Sequence, residues 1–473
     1  MRGGSEPTGP LGLGPRVVVA GTRSGDGKTT VATGLMAALR GAGRKVAGAK
    51  VGPDFIDPGY HEVATGRPGR NLDVFCQGAD AVPGLAARAA SGADLLVVEG
   101  VMGLFDGEGA TDVSSTAHVA ALLDAPVLLV VDSSSLSGSV AALVRGYDDS
   151  FHDTAGRGLS GVVLNRVGSD THEALLREAL CGLTERGGPP VVGALRRDRS
   201  FEWRGRHLGL VPVAEQRGDV SASVRRLGET IARSLDLEAI ERLARGAPLV
   251  RADAPRPAHR VVATPVPVAI ASGPAFSFVY RDNLERLEEA GAELLPFDPF
   301  EAPALPSGAR GLYAGGGFPE VYAAALSANA GLLRDVRAAL RGGLVTWAEC
   351  GGMLWLCRSV NGSPMSGALP AQATTRDRVT VGYRRAEVRR DNPVAPKGAT
   401  LRGHEHHYSL VDPPGDALSL QGVRSGRPDG WASPTMLATY LHLHLGADPA
   451  PAERFVATAA RRSVERAAAG STA

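Results

Sequence analysis

At 473 residues and a formal net charge of +1, the chain is too long for one ordinary core, and it carries no global charge that would draw it to nucleic acid or an acidic membrane. It has no run of about 18 apolar residues, so a membrane-spanning helix is not expected. The four cysteines, Cys76, Cys181, Cys350 and Cys357, form no Cys-x-x-Cys pair and indicate neither a disulfide framework nor a zinc site.

Residues 1–15 are rich in Gly and Pro and lack the apolar centre of a signal peptide. They read as a disordered tail on a cytoplasmic protein. Residues 17–20 are an apolar strand, and Val31, Leu35, Met36 and Leu39 mark a helix. Between them lies Gly21-Thr22-Arg23-Ser24-Gly25-Asp26-Gly27-Lys28-Thr29-Thr30. Strand, glycine-rich loop, helix is the layout of a phosphate site. Backbone N–H groups around Gly21, Gly25 and Gly27 face the anion, Lys28 adds positive charge, and a Thr hydroxyl can reach a magnesium ion. The usual pattern places its first glycine at position 22, which is Thr22. Here the glycine comes one residue earlier.

Gly41 and Gly43 stop the helix, and a strand at 45–49 runs into a loop from Lys50 to His61 with two prolines and two glycines. Its lysine and the carboxylates Asp54 and Asp57 follow a strand, where open parallel sheets bind ligands. A solvated surface loop is the competing reading. Residues 94–98 form a strand that ends in Glu99, the usual position of a magnesium ligand beside a phosphate loop. A helix-capping or surface role is the alternative. Asp106, in the loop that follows, is either a ligand-facing carboxylate or a turn residue. Strands at 126–131 and 161–164 come next. The second ends in Asn165, whose amide can pair with a nucleobase edge or simply form a turn. A strand at 190–195 and a helical segment at 220–245 complete a doubly wound α/β pattern over residues 16–250.

Residues 251–266 form a proline-rich linker with Pro255, Pro257 and Pro265. The α/β pattern restarts over 267–473, with a strand at 268–271, a helix at 282–290, and strands at 292–296 and 311–314. A glycine loop, 315–317, precedes a helical stretch reaching 340. A strand at 344–348 then meets Glu349-Cys350-Gly351-Gly352, which reads as a nucleophile elbow with a helix N-terminus lowering the pKa of the thiol. A small core cysteine is the plain alternative. The glycine loop can supply oxyanion-hole N–H groups, with Gly316 and Gly351 as the donors. His442 and His444 follow an apolar run and would share one face of a strand, so either can serve Cys350 as base with the other in support. His404, His406 and His407 lack the helical His spacing of a zinc protease.

Taken together, residues 21–30, 50–58 and 99–107, the Cys350 elbow, Gly403-His404-Glu405 and His442-Leu443-His444 resemble the cobyrinic or hydrogenobyrinic acid a,c-diamide synthase family. The likeness covers nearly the whole chain after the tail. It implies a dethiobiotin-synthetase-like ATPase domain joined to a class I glutamine amidotransferase domain. It further implies ATP, Mg²⁺ and glutamine as cofactor and cosubstrates, a corrin acid as substrate, and a carbon–nitrogen ligase working through an acyl phosphate. Under it, Lys28 and the loop bind phosphate, and Thr29, Asp54 and Glu99 surround the metal. Lys50 offsets charge, Asp57 and Asp106 position the substrate or intermediate, and Asn165 lies where related ATPases recognise adenine. The likeness also implies no nucleic-acid or membrane partner, and a homodimer is among the assemblies it allows. One departure stands out. Amidotransferases of this class carry His-Pro-Glu, and here His444 replaces the Glu, which leaves a Cys350–His442 dyad. An amidase acting on another tetrapyrrole and a partitioning-type ATPase are the competing readings. The second gives no reason for a domain bearing Cys350 and His442.

Overall fold

A computed structural model describes residues 11–198, 205–206, 209–210, 212–215, 217–422 and 426–470. The chain divides into two compact units, 1–255 and 256–473.

The first unit is built on a seven-stranded, all-parallel sheet. Its strands are β1 (Arg16–Gly21), β2 (Val46–Val51), β3 (Arg70–Leu72), β4 (Leu95–Glu99), β5 (Val127–Asp132), β6 (Gly161–Val167) and β7 (Val191–Arg196), in the spatial order β3-β2-β4-β1-β5-β6-β7. Strands buried on both faces read as continuous apolar runs. Val17, Val18 and Val19 of β1 and Val127 to Val131 of β5 are fully buried. Order reverses on either side of β1, so the loop leaving β1 opens at a switch point of the sheet, where ligands of such folds bind. Helix α1 (Lys28–Gly41) begins directly after that loop, and α2 (Asp57–Thr65) follows β2.

Part of the expected tail is ordered. Leu11–Leu13 pairs antiparallel with Val250–Ala252, so the stretch expected as linker begins inside the first unit. Two buried groups fix this closure. Leu13 is core, and the guanidinium of Arg16 donates to the carbonyls of Leu13, Gly14, Leu123, Asp124 and Pro248. Residues 1–10 lie outside the described residues. The helical segment predicted at 220–245 is two helices, Arg217–Ser234 and Leu237–Arg245. Asp236 caps the second, accepting from the Ala239 N–H at 2.8 Å.

The second unit has a six-stranded sheet containing β8 (Val266–Ala271), β9 (Ala292–Phe297), β10 (Gly311–Ala314) and β11 (Val345–Glu349), in the order β9-β8-β10-β11, all parallel. Met436–Thr439 continues it in parallel beside β11, and Trp431–Ser433 closes the edge antiparallel. The second unit is more than a doubly wound sheet. A long hairpin, Gln372–Val388 with Thr400–Asp412, forms a second sheet to which His442–Leu443 adds antiparallel beside Gly403 and His404. Helix α3 (Gly351–Leu356) leaves the end of β11.

Candidate active sites

In the first unit the loop residues 21–30 are shaped by hydrogen bonds within the protein. Asp26 is fully buried, and its Oδ2 accepts from the Thr22 N–H at 2.7 Å, the Thr22 hydroxyl at 2.6 Å and the Arg23 N–H at 3.0 Å. Gly25 and Gly27 both take positive φ, 89° and 95°. Gly27 also has no room for a side chain, because a Cβ there would stand 2.2 Å from the amide nitrogen of Asn165. That nitrogen donates to the Asp26 carbonyl at 2.7 Å, and Asn165 Oδ1 accepts from the Arg166 N–H at 2.9 Å. Asn165 thus pins the loop through its amide. Gly21 lies close under Lys28, where a Cβ would meet Cγ at 3.0 Å. The Lys28 ammonium is turned onto the Arg23 carbonyl at 2.9 Å, and burial, then the nearby Lys50, lowers its pKa. Thr30 is part of the first turn of α1.

Behind Thr29 sits a closed network. The Thr29 hydroxyl donates to Glu99 Oε1 at 2.6 Å. Lys50 Nζ lies 2.8 Å from the same oxygen, 2.7 Å from Asp57 Oδ2 and 3.0 Å from the Gly100 carbonyl. His61 Nε2 meets Glu99 Oε2 at 2.6 Å, while His61 Nδ1 is buried without a hydrogen bond. Burial pushes Glu99 upward, but Lys50 and His61 outweigh it and hold the carboxyl well below its usual range. Lys50 is pulled down by burial and raised further by Asp57 and Glu99, so it stays charged. Asp57 is raised by burial and by the charges of Asp54 and Glu99, against the pull of Lys50.

Asp54 is half-buried beside this network, and its charge acts on Lys50 and Asp57. Its Oδ1 accepts the N–H groups of Ile56 at 2.7 Å and Asp57 at 2.8 Å, closing the turn into α2. Asp106 is exposed and takes the Gly103 N–H at 2.7 Å, a turn contact. Sequence reasoning missed the roles of Asp26 and His61. A Pro at the second position of α2 was the available signal that residues 57–65 are helical, which puts His61 one turn beyond Asp57.

In the second unit Cys350 has φ 47° and ψ −103°, a strained conformation for a residue with a side chain. Its N–H is held by the Thr439 carbonyl at 2.7 Å across the β11 edge. The thiol is buried. The expectation of a lowered pKa is overturned. Burial, then the Glu320 charge, pushes the thiol well above its ordinary value, and the Gly351 N–H opposes this only in part. Helix α3 has six residues, so its end carries a weak field beside that desolvation. Alkylation of Cys350 by iodoacetamide in the resting enzyme is therefore expected to be slow at neutral pH and still rising at pH 9, because the reactive thiolate appears only above the raised pKa. A labelling rate that levels off near neutral pH would show that the helix end dominates.

The glycine loop closes over the elbow. A Cβ on Gly316 would lie 2.4 Å from Cε1 of His442, and one on Gly351 would lie 3.0 Å from the Gly317 nitrogen. Gly316 was expected to donate to an oxyanion, but its N–H is bonded to the Phe278 carbonyl at 3.0 Å. The Gly317 nitrogen is the loop donor that approaches Gly351. His442 is buried, with Nδ1 3.9 Å from Glu349 Oε2. Burial, then His407 and His406, lowers His442 to about 3, and burial raises Glu349 to about 8. His444 faces elsewhere: Nε2 is 3.7 Å from Asp282, Nδ1 accepts the Gly446 N–H at 3.1 Å, and its ring packs on Tyr280. The strand ends at Leu443, so the alternation that would align the two histidines stops before His444.

Nearby, Glu405 is buried and bonded to Arg384 at 2.5 Å, to Arg427 and to His407. Those partners hold it below its usual pKa although burial pushes it up.

A buried, strained cysteine elbow under a glycine loop that also packs on His442, carried on the same chain as a phosphate loop with a Thr–Glu–Lys network, defines a glutamine-dependent ligase with a separate nucleotide site. Comparison with known proteins agrees. Residues 17–211 match the CobQ/CobB/MinD/ParA nucleotide binding domain, and residues 267–450 match the CobB/CobQ-like glutamine amidotransferase domain. The chain is 46% identical to hydrogenobyrinate a,c-diamide synthase of Streptomyces coelicolor, over 93% of this chain and 97% of that protein. It is 47% identical to the Thermobifida fusca protein of the same name, over 95% and 97%. Identity to cobyrinate a,c-diamide synthase of Synechococcus is 40%, over 92% and 96%. The chain belongs to the hydrogenobyrinate and cobyrinate a,c-diamide synthase family. Among the described residues no helix is long and apolar enough to cross a membrane.

Proposed function

We propose that the protein amidates the a and c acetate carboxylates of a corrin acid, using ATP and glutamine. The observation that carries this is one chain holding both a phosphate loop backed by Thr29, Glu99 and Lys50 and a cysteine elbow at Cys350. Hydrogenobyrinate is the proposed ring, because relatives bearing that name match at 43–47% and those named for cobyrinate at 39–40%.

In the first unit Lys28 and the loop N–H groups hold the β- and γ-phosphates. The residues fit Mg²⁺, since Thr29 and Glu99 offer hard oxygen donors 2.6 Å apart at the loop. Among the described residues no group of three or more His, Cys, Asp or Glu side chains is arranged to hold a metal, and in the proposed site the nucleotide phosphates would supply the remaining oxygen ligands. Bound there, the ion neutralises phosphate charge. Asp54, beside the network, is its further candidate ligand. A substrate carboxylate oxygen attacks the γ-phosphorus, the bond to the β-bridging oxygen breaks, and ADP leaves. A carboxylate is a poor electrophile, and the resulting acyl phosphate is a good one. Lys50 sits between Asp57 and Glu99 and offsets negative charge as phosphate and carboxylate converge. Asp57 and Asp106 are the carboxylates proposed to position substrate or intermediate, and Asn165 holds the loop against the nucleotide.

In the second unit Cys350 sulfur attacks the glutamine side-chain carbon, with His442 taking the thiol proton and passing it to the leaving ammonia. The N–H groups of Gly317 and Gly351 face the developing oxyanion. Water hydrolyses the thioester to glutamate. The ammonia attacks the acyl phosphate carbon, phosphate leaves, and an amide remains.

The test is incubation with ATP, Mg²⁺, glutamine and either hydrogenobyrinate or cobyrinate, followed by mass spectrometry. The expected product has hydroxyl replaced by amino at two carboxyls of hydrogenobyrinate, with weaker turnover of cobyrinate. No amidation of either ring would sink the proposal.

A further inference from the structure

The resemblance to class I amidotransferases implies a carboxylate two residues after the histidine base, but His444 stands there and turns to Asp282. Yet a carboxylate does reach His442 from another strand. Glu349 is the last residue of β11, directly before the nucleophile. Its Oε1 accepts the Leu443 N–H at 3.0 Å and its Oε2 accepts the Tyr313 hydroxyl at 3.0 Å, both buried. Oε2 lies 3.9 Å from His442 Nδ1. The segment bearing the histidine is fixed independently by Asn283, which donates to the Leu443 carbonyl at 2.8 Å and accepts the Leu445 N–H at 2.8 Å. Other carboxylates near the histidines are committed elsewhere. Glu405 is engaged by Arg384, Arg427 and His407, and Asp282 faces His444.

We propose that Glu349 is the positioning residue for the glutaminase base, accepting the Nδ1–H of His442 and so presenting the Nε2 lone pair to the Cys350 thiol. The triad is thus rebuilt with its third member contributed by the residue before the nucleophile instead of by the segment after the base. A separation of 3.9 Å is long for a hydrogen bond, and catalytic hydrogen bonds commonly tighten only when substrate is bound. The two donors on Glu349 already fix the carboxyl. Burial raises it to about 8 in the resting site, and the imidazolium formed when His442 takes the thiol proton draws it to the carboxylate form that accepts Nδ1–H. This inference rests on the glutaminase reading of the second unit.

Glutamate formation from glutamine and amidation from free ammonia are measured separately in the full-length enzyme. Glu349→Gln keeps the shape but is a poorer acceptor for Nδ1–H. It is expected to lower the glutaminase kcat by on the order of 10³–10⁴-fold, with KM for glutamine and ammonia-dependent amidation unchanged. Glu349→Asp, which keeps the carboxylate, is expected to recover part of the loss. An unchanged kcat in Glu349→Gln, or an equal loss of ammonia-dependent amidation, would overturn the assignment. Should Glu349→Gln fail to fold, ¹⁵N-histidine spectra of the wild-type enzyme decide. Nδ1–H protonation of His442, identified by loss of its signal in His442→Gln, supports the proposal, and an Nε2–H tautomer refutes it. If wild-type enzyme forms glutamate but amidates no corrin, the synthase reading fails and the role of Glu349 still stands.

Discussion

Replacing Lys28 with alanine is expected to reduce amidation by on the order of 10²–10³-fold with glutamine and with free ammonia alike. The lysine begins α1, is buried to 7% exposure, and has its ammonium on the Arg23 carbonyl. That bond is to a neutral group inside its own loop, so an incoming phosphate offers a stronger, charged partner at the same place. Removing the ammonium takes away charge that counts most when negative charge is shared between attacking carboxylate and departing ADP. Glutamine hydrolysis at Cys350 uses none of these groups, so glutamate formation measured without corrin is expected to persist. Arginine is a poor rescue, because the ammonium is buried on the Arg23 carbonyl at 2.9 Å and a planar guanidinium is broader than the point charge it would replace. Survival of ammonia-dependent amidation in Lys28→Ala would mean that the loop does not hold the nucleotide.

The second large effect runs the other way. Cys350→Ala is expected to reduce glutamine-dependent amidation by about 10⁴-fold, because no other nucleophile stands at the elbow, while free ammonia at high concentration supports normal turnover. The native backbone there is strained at φ 47°, and alanine carries the same strain without the sulfur, so the fold should be retained. Equal loss with both nitrogen donors would make Cys350 a structural residue.

Much of the first unit was legible because its strands are buried on both faces and each ends in a loop with its own chemistry. Gly21 to Thr30 and Glu99 announce themselves by position alone. The partners of Glu99 were harder to see. His61 belongs to a proline- and glycine-rich stretch that looks like loop, yet proline near a helix start is compatible with α-helix, and one turn of α2 carries the imidazole onto the carboxylate. Asn165 shows the opposite gap. Its strand-end position was readable, but its bond to the Asp26 carbonyl depends on β6 lying two strands from β1. In the second unit the hairpin strand Gln372–Val388 escaped notice because its first half is polar and largely exposed, and the alternation of Val379, Val381 and Tyr383 that follows is broken by Arg384 and Arg385. The contact between Glu349 and His442 was hidden for a related reason. It arises because Glu349 lies in register with Thr439 on the neighbouring strand, and cross-strand register is not written in the spacing of either segment.

The internal fastening of the phosphate loop has a thermodynamic consequence. Asp26 holds the N–H groups of Thr22 and Arg23, Asn165 holds the Asp26 carbonyl, and the Tyr147 hydroxyl holds the Thr22 carbonyl at 2.6 Å. The ordering entropy of the loop is therefore incurred once, as the first unit folds, and is not charged again to each nucleotide that binds. Nucleotide association should then follow simple one-step kinetics with little change in heat capacity. Loosening any one of these fasteners should weaken ATP binding through preorganisation, leaving every direct phosphate contact intact.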